Sequence, residues 1–389
     1  MVNFKKEFLK KLEQRFQHLY WASASQEMQG ASPPSVFVGR FGYPKVFVGP
    51  LIPPQSGDTT IYDAPEKWIP ANKTQEEITR FRLGLVRGKT AVNVRDSSRL
   101  VELMREIALS KTSPEVEAVF ERKPMGSFLS EDSLPFGPSA PLKQVRVWST
   151  KFDEKLEKMS RDTDATASTA IIELYYKKAP ASAIMRALSV GALGLEKNRK
   201  LVPTRWSITA VDSTLSAHFL ETLRELPLLE ECLVYEHAAL SQKYVVILFP
   251  SNWQYDWVES FFPRDSSEKI MVFGDGEKYD PKKEYSSVGG CYYSARLAIA
   301  EKLRSQGRQA GAIVLREAYS DYVPLGVWSV RENVRAALRQ QPKKFEELAQ
   351  AVSHAFSQLK TPPQHWIQNS RILREGPRQT MQKRLAAFT

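Results

Sequence analysis

Two short runs of β-branched and aromatic residues restrict the fold more than any other feature of the chain. The first run is Val36-Phe37-Val38-Gly39, and the second, ten positions later, is Val46-Phe47-Val48-Gly49. Residues of this kind favour strands, and the intervening Gly42-Tyr43-Pro44 favours a turn. The pair therefore predicts an antiparallel β-hairpin.

Helix and strand signals are mixed along the rest of the chain, and several long segments with many prolines show no periodicity. Residues 22–34 are predicted to be a linker, and residues 50–70 and 114–142 to be irregular. Helices are predicted at 4–20, at 151–161, 180–193, 289–303, 327–338 and 345–359, and also directly after a helix cap at 96–98. Strands are predicted at 145–148, 171–176, 244–249 and 312–316. No regular βαβ alternation occurs, so we predict a mixed α/β (α+β) fold and not a doubly wound sheet.

The length of 389 residues suits two domains or one large one, and 42% hydrophobic residues support a core. We predict an N-terminal helix and linker at 1–31, an N-terminal part of the core at 32–196, a C-terminal part at 197–360, and a basic flexible tail at 361–389. One intertwined domain, without a boundary near residues 194–200, is the alternative.

Cysteine content and hydropathy indicate the compartment. Cys232 and Cys291 are too few for a four-thiolate zinc site or a disulfide framework, so no cofactor is identified. A reducing cytosol fits this content, and a single bridge between the two cysteines is the alternative. The chain shows neither a membrane-length apolar run nor a signal peptide, so we expect a cytoplasmic protein without a membrane partner.

The formal net charge of +11 favours a polyanionic partner, and DNA is the expected one. In the predicted hairpin, Arg40 and Lys45 flank glycines that let backbone amides approach a phosphate. The alternative is a glycine-shaped turn that merely exposes two basic residues.

A second basic segment runs from Lys200 to Trp206. Arg205 and Trp206 together can contact a phosphate and stack on a base. The alternative is a tryptophan buried in the core, with Arg205 bridging to Asp212.

Further arginines lie at or on predicted helices. Arg95 and Arg99 flank a helix N-terminus whose amides suit an anion, although a simple helix cap explains the same residues. Arg331, which shares a helix face with Arg335, is a further candidate for contact with nucleic acid, and the alternative is that the pair is simply solvated.

An enzymatic function is the open question. Asp58, Asp63 and Glu66 lie in an irregular segment and are candidate oxygen ligands for Mg²⁺, although their spacing does not specify one. No catalytic residue is identified. A nucleotide- or DNA-phosphate enzyme would gather four residues around one pocket: Arg40, Lys45, Arg205 and Asp212. A non-enzymatic DNA-binding scaffold is the other alternative.

The C-terminus carries the spacing Gln-x-x-Leu-x-x-Phe, which is typical of the PIP box that binds the sliding clamp PCNA. In one tight helical turn Leu385 and Phe388 point the same way, and Gln382 offers its amide for hydrogen bonds. We therefore expect the clamp as a partner. The alternative is an amphipathic end that packs on its own domain.

The hairpin sequence from Ser35 to Pro50, the segment from Lys200 to Thr209 and two later strings, 288–293 and 327–332, resemble the archaeal NreA family. The resemblance covers about residues 32–340, and family members carry a similar C-terminal box. It implies a DNA-repair role coupled to PCNA.

One departure from the family is that many members begin with a cysteine-rich segment that looks like a zinc module. Here the predicted helix at 4–20 takes its place, so zinc is not expected. Our prediction is a DNA-repair protein that PCNA recruits through its C-terminal box.

Overall fold

The computed structural model describes residues 24–126, 128–130, 133–263, 269–280, 282 and 284–376. The predicted N-terminal helix at 4–20 and the clamp-binding motif at 382–388 lie outside these residues. The chain divides into two compact units: unit 1 extends to Thr214 and includes Pro324–Gly326, and unit 2 comprises Leu215–Val323 and the chain from Val327 onward.

Unit 1 contains a six-stranded sheet in the order β1-β5-β8-β4-β3-β2 and a two-stranded sheet of β6 and β7. Only β4 and β8 pair in parallel in the larger sheet. The strands of the two sheets together are β1 Glu27–Ala31, β2 Val36–Val38, β3 Lys45–Ile52, β4 Val86–Asn93, β5 Glu115–Phe120, β6 Phe128–Ser130, β7 Ser133–Phe136 and β8 Ser139–Trp148.

Helices pack around the sheet of unit 1, and two 3-10 turns occur at Thr60–Asp63 and Glu196–Asn198. The α-helices are α1 Pro65–Trp68, α2 Gln75–Leu83, α3 Arg99–Ala108, α4 Glu154–Arg161, α5 Ala167–Tyr176, α6 Ala181–Ser189 and α7 Thr204–Leu223, the last contributing residues to both units.

Unit 2 holds a second six-stranded sheet in the order β12-β11-β13-β10-β9-β14, with only β11 and β13 parallel. Its strands are β9 Cys232–Ala239, β10 Gln242–Phe249, β11 Gln254–Phe261, β12 Met271–Glu277, β13 Gly311–Ala318 and β14 Lys343–Phe345. Its other helices are α8 Gly290–Gln306, α9 Trp328–Arg339, α10 Leu348–Ser357, α11 Pro363–Asn369 and α12 Arg371–Glu375.

The predicted hairpin is confirmed as β2 and β3, which pair antiparallel with Phe37 opposite Gly49. Strand β3 also pairs with β4 along its other edge. Val46 and Val48 are buried on one face of the sheet, whereas Lys45 and Phe47 on the other face are exposed. Because side chains alternate along a strand, burial of Val46 and Val48 places Lys45 and Phe47 on the face that meets solvent.

The mixed α/β fold class is confirmed, but the strand predicted at 171–176 is wrong. These residues end helix α5, which begins after Thr166, whose hydroxyl accepts a hydrogen bond from the Thr169 amide. Ala170, Ile171 and Leu174 are its buried residues, a helical spacing. The run Ile-Ile-Glu-Leu-Tyr-Tyr is too short for its pattern to distinguish a strand from a buried helix.

Two segments that were predicted to be flexible are ordered in part. Residues 27–31, inside the predicted linker, form β1 and pair with β5. Residues 361–376, inside the predicted tail, form α11 and α12, and the Trp366 side chain is fully buried against Val245, Ile313 and their neighbours. Tertiary packing of a few apolar residues therefore outweighs the polar and proline-rich composition of these segments.

Because Trp366 fills this core, Trp366→Ala is expected to lower the free energy of unfolding of unit 2 by about 3–5 kcal/mol through lost burial and a residual cavity. The matched control is Ile367→Ala, because Ile367 is 38% exposed, and its expected cost is below about 1 kcal/mol. Urea unfolding measures both. Equal, small losses would show that α11 is not part of the core.

Candidate nucleic-acid interface

The turn between β2 and β3 is closed by backbone hydrogen bonds. The Gly39 amide donates to the Phe47 carbonyl at 2.7 Å, and the Lys45 amide donates to the Gly42 carbonyl at 2.9 Å. Gly42 has φ +82°, and a Cβ there would lie 2.8 Å from the Lys45 carbonyl oxygen. Glycine is therefore required at this position. The turn projects Phe41, which is 77% exposed.

Three segments meet at this turn. The Val94 amide, just after β4, donates to the Pro44 carbonyl at 2.9 Å, and the Leu201 amide donates to the Val94 carbonyl at 2.7 Å. The ring centroids of Tyr43 and Trp206 are 5.1 Å apart. The turn, the end of β4 and the start of α7 thus form one surface, which we call the basic aromatic surface: Arg40, Phe41, Tyr43, Lys45, Phe47, Arg95, Lys200 and Trp206.

The charges of this surface are positive. The Lys200 ammonium lies 5.9 Å from the centre of the Tyr43 ring, and the Arg40 guanidinium lies 4.9 Å from that of Phe41. Arg95 donates to the Lys197 carbonyl at 3.2 Å. Within the described parts of the chain, neither Lys45 nor Lys200 is ion-paired with a carboxylate. Their charge is therefore available to an anionic ligand.

The aromatic residues of the surface are unusually open to solvent. Phe47 is 46% exposed and Trp206 is 44% exposed, so the alternative of a core tryptophan at position 206 is wrong. Arg205 is partly buried, and Asp212, two turns further along α7, is fully buried. Asp212 therefore offers no carboxylate to a ligand on this surface.

Two other predicted arginines are engaged elsewhere. Arg99, at the start of α3, is ion-paired with Glu102 at 3.3 Å and Glu106 at 2.9 Å, and these contacts raise its pKa. Arg331 is 1% exposed, and its Nε–H donates a hydrogen bond to the Glu332 carboxylate at 3.1 Å. Arg331 lies in the core of unit 2 and not on a solvated helix face, so it is not a candidate for contact with nucleic acid.

The candidate metal ligands are paired with protein groups. Asp63 forms an ion pair with Arg82 at 2.6 Å, and Glu66 accepts a hydrogen bond from the Ser182 hydroxyl at 2.8 Å. The described residues contain no group of three or more His, Cys, Asp or Glu side chains that could hold a metal ion.

Further basic and aromatic side chains, which were not predicted from the sequence, extend this surface across the sheet. Lys89 lies on β4, on the same face as Lys45 and Phe47. On that face Arg87 is stacked between two rings, with its guanidinium carbon 3.8 Å from the centre of Phe37 and 3.9 Å from that of Phe136. Strand alternation in β4 carried part of this signal, since Arg87 and Lys89 are two residues apart.

The chain belongs to the archaeal Nre family of proteins. The family description "Archaeal Nre, N-terminal" matches residues 6–266, and "Archaeal Nre, C-terminal" matches residues 277–388. No solved structure matches the chain. No helix among the described residues has the length and apolar character needed to cross a membrane.

Three known proteins are similar to this chain over most of their lengths. The DNA repair protein NreB of Archaeoglobus fulgidus is 39% identical over 92% of this chain and 92% of its own length. The DNA repair protein NreA of the same organism is 34% identical over 83% of both chains. The DNA repair protein NreA of Haloferax volcanii is 30% identical over 84% of this chain and 81% of its own.

Since Gly42 shapes the turn, Gly42→Ala is expected to destabilise unit 1 by about 1–3 kcal/mol, through an unfavourable φ and a backbone clash. Gly57→Ala is the control: Gly57 has φ +92° but no atom within 4 Å of a Cβ, so only the conformational penalty applies. Thermal unfolding compares the two variants. A loss no greater at Gly42 than at Gly57 would contradict the tight turn.

Proposed function

We propose that this protein acts in DNA repair, that it binds DNA through the basic aromatic surface, and that its C-terminal motif brings it to the PCNA clamp. The names of the NreA and NreB relatives support the repair role. The net charge of +11 supports a nucleic-acid partner.

One observation carries the DNA-binding proposal: the contact between Tyr43 and Trp206, at 5.1 Å between ring centroids. It joins the two basic segments of the sequence, the hairpin turn and the Lys200–Trp206 segment, in one surface. The surface therefore combines basic groups with exposed aromatic rings, a combination found in proteins that bind nucleic acid.

The basic residues would act on the phosphate backbone. Lys45 is exposed and Lys200 is half-buried beside Tyr43, so each can neutralise a phosphate without first breaking an ion pair. Contacts of this kind give affinity and register but not base specificity. The surface thus fits a protein that acts on DNA of many sequences.

The clamp proposal rests on the terminal motif and on the length of chain before it. Helix α12 ends at Glu375, and Leu385 follows ten residues later. A chain of that length spans at most about 35 Å when extended. Leu385 and Phe388 can therefore reach a hydrophobic pocket on a separate protein while unit 2 stays folded.

The variant Lys45→Gln with Lys200→Gln tests the surface, because each lost phosphate contact should lower the salt dependence of binding. Fluorescence anisotropy with a labelled duplex should show weaker binding, with the slope of log affinity against log salt reduced by roughly 1.8.

The matched control is Lys155→Gln with Lys158→Gln, two exposed lysines of α4. It removes the same charge and should leave the slope unchanged. Equal effects in both double variants would mean that only net charge matters, and the assigned surface would be rejected.

Replacement of both apolar residues of the motif, by Leu385→Ala with Phe388→Ala, should abolish capture of the protein by immobilised PCNA, because the two side chains form one apolar plug. Met381→Ala, a neighbouring change outside the motif, should bind as the wild type does. Equal capture of the double variant and the wild type would refute this role of the motif.

A further inference from the structure

The outer face of strands β2, β3 and β4 extends the basic aromatic surface. Phe47 lies opposite Ala91, and Lys45 lies opposite Asn93. Ala91 is too small to cover the phenyl ring, which leaves Phe47 46% exposed. A large aromatic side chain on an open sheet face is unfavourable in water, so this face is suited to a ligand that covers it.

Arg87 lies where this face becomes covered. It is 6% exposed, and its guanidinium is held between the rings of Phe37 and Phe136. Its Nε is buried without a hydrogen-bond partner. Among the residues that the structure describes, no carboxylate forms an ion pair with it and no oxygen accepts a hydrogen bond from its guanidinium.

Two other cations lie near Arg87: Arg82, which is ion-paired with Asp63, and Lys89. Burial, and to a lesser extent the charge of the nearby Arg82, lower the pKa of Arg87 to about 9. Partial burial, and then the charge of Arg87, also lower the pKa of Lys89. A buried cation normally requires a partner, because the desolvation cost is otherwise uncompensated. Two stacked rings offset only part of that cost.

We propose that this outer face binds single-stranded DNA, with bases stacked on Phe41 and Phe47 and a phosphate oxygen bonded by Arg87. The inference rests on the proposed DNA-binding function and specifies the form of DNA. Bases of a duplex are stacked on each other, so they cannot cover these rings. Unpaired bases can, and every base has a face suited to stacking.

The aromatic half of the proposal is tested with Phe41→Ala plus Phe47→Ala in the full-length chain. Tyr176→Ala is the matched control, since Tyr176 is 44% exposed on α5 of the same unit. Anisotropy is measured with a labelled single-stranded oligonucleotide and with the duplex of the same sequence.

The aromatic double variant should bind the single strand about tenfold more weakly or worse, with little change for the duplex, and the control should match the wild type. A single strand that contains 2-aminopurine adds a direct readout of stacking. Its fluorescence should be quenched by the wild type and not by the double variant.

Arg87→Met tests the phosphate contact against a purely structural role. Removal of an unpaired buried charge should leave Tm unchanged or raise it, while affinity for the single strand falls several-fold. A lower Tm, or an unchanged affinity, would identify Arg87 as a structural cation and remove it from the site.

The results separate this inference from the proposed function. If the lysine double variant weakens DNA binding but the aromatic double variant binds the single strand normally, the single-strand proposal fails and the DNA-binding surface stands. If neither variant changes binding to either form of DNA, the proposed surface itself is wrong.

Discussion

The pairing of β3 with β2 on one edge and β4 on the other is the constraint on which the candidate interface depends. It buries Val46 and Val48 and leaves Lys45 and Phe47 on the outer face. A slip of one residue in this register would exchange the two sets. The same strand carries the hairpin turn, so its register also sets where Tyr43 meets Trp206. Strand β3 thus contributes both to the hydrophobic core of unit 1 and to its proposed contact with DNA.

The buried arginines among the residues that the structure describes fall into two kinds. Arg296 is paired with Glu277 at 2.8 Å, and Arg316 with Glu259 at 2.6 Å. Such pairs have compensated charge, and they fit a structural role in unit 2. Arg87 has two aromatic rings in place of a carboxylate. This difference supports the proposal that Arg87, on the outer face of unit 1, binds an anionic ligand.

Local spacing predicted the hairpin, the helix at Arg99–Ala108 and the strand at Gln242–Phe249, because each has a pattern of its own. It did not predict that Arg331 is buried or that Arg87 is stacked between Phe37 and Phe136. The stacking of Arg87 depends on residues about fifty positions away in the sequence, and the burial of Arg331 depends on tertiary packing around its helix. The basic residues Arg40, Lys45, Arg95 and Lys200 could be proposed for the interface from the sequence. That Phe47 and Arg87 lie on the same face of the sheet could be recognised only from the register of β3 with β4.

Photo-crosslinking can identify which residues of the protein contact DNA, and so whether the proposed surface of unit 1 is the one that binds. A single-stranded oligonucleotide with 5-iodouracil at successive positions would be irradiated with the full-length protein, and the crosslinked peptides would be identified by mass spectrometry. We expect crosslinks to Phe41, Phe47 and Trp206, which are exposed aromatic residues of the surface. Crosslinks confined to other aromatic residues, such as Tyr279 and Tyr285 in unit 2, would contradict it.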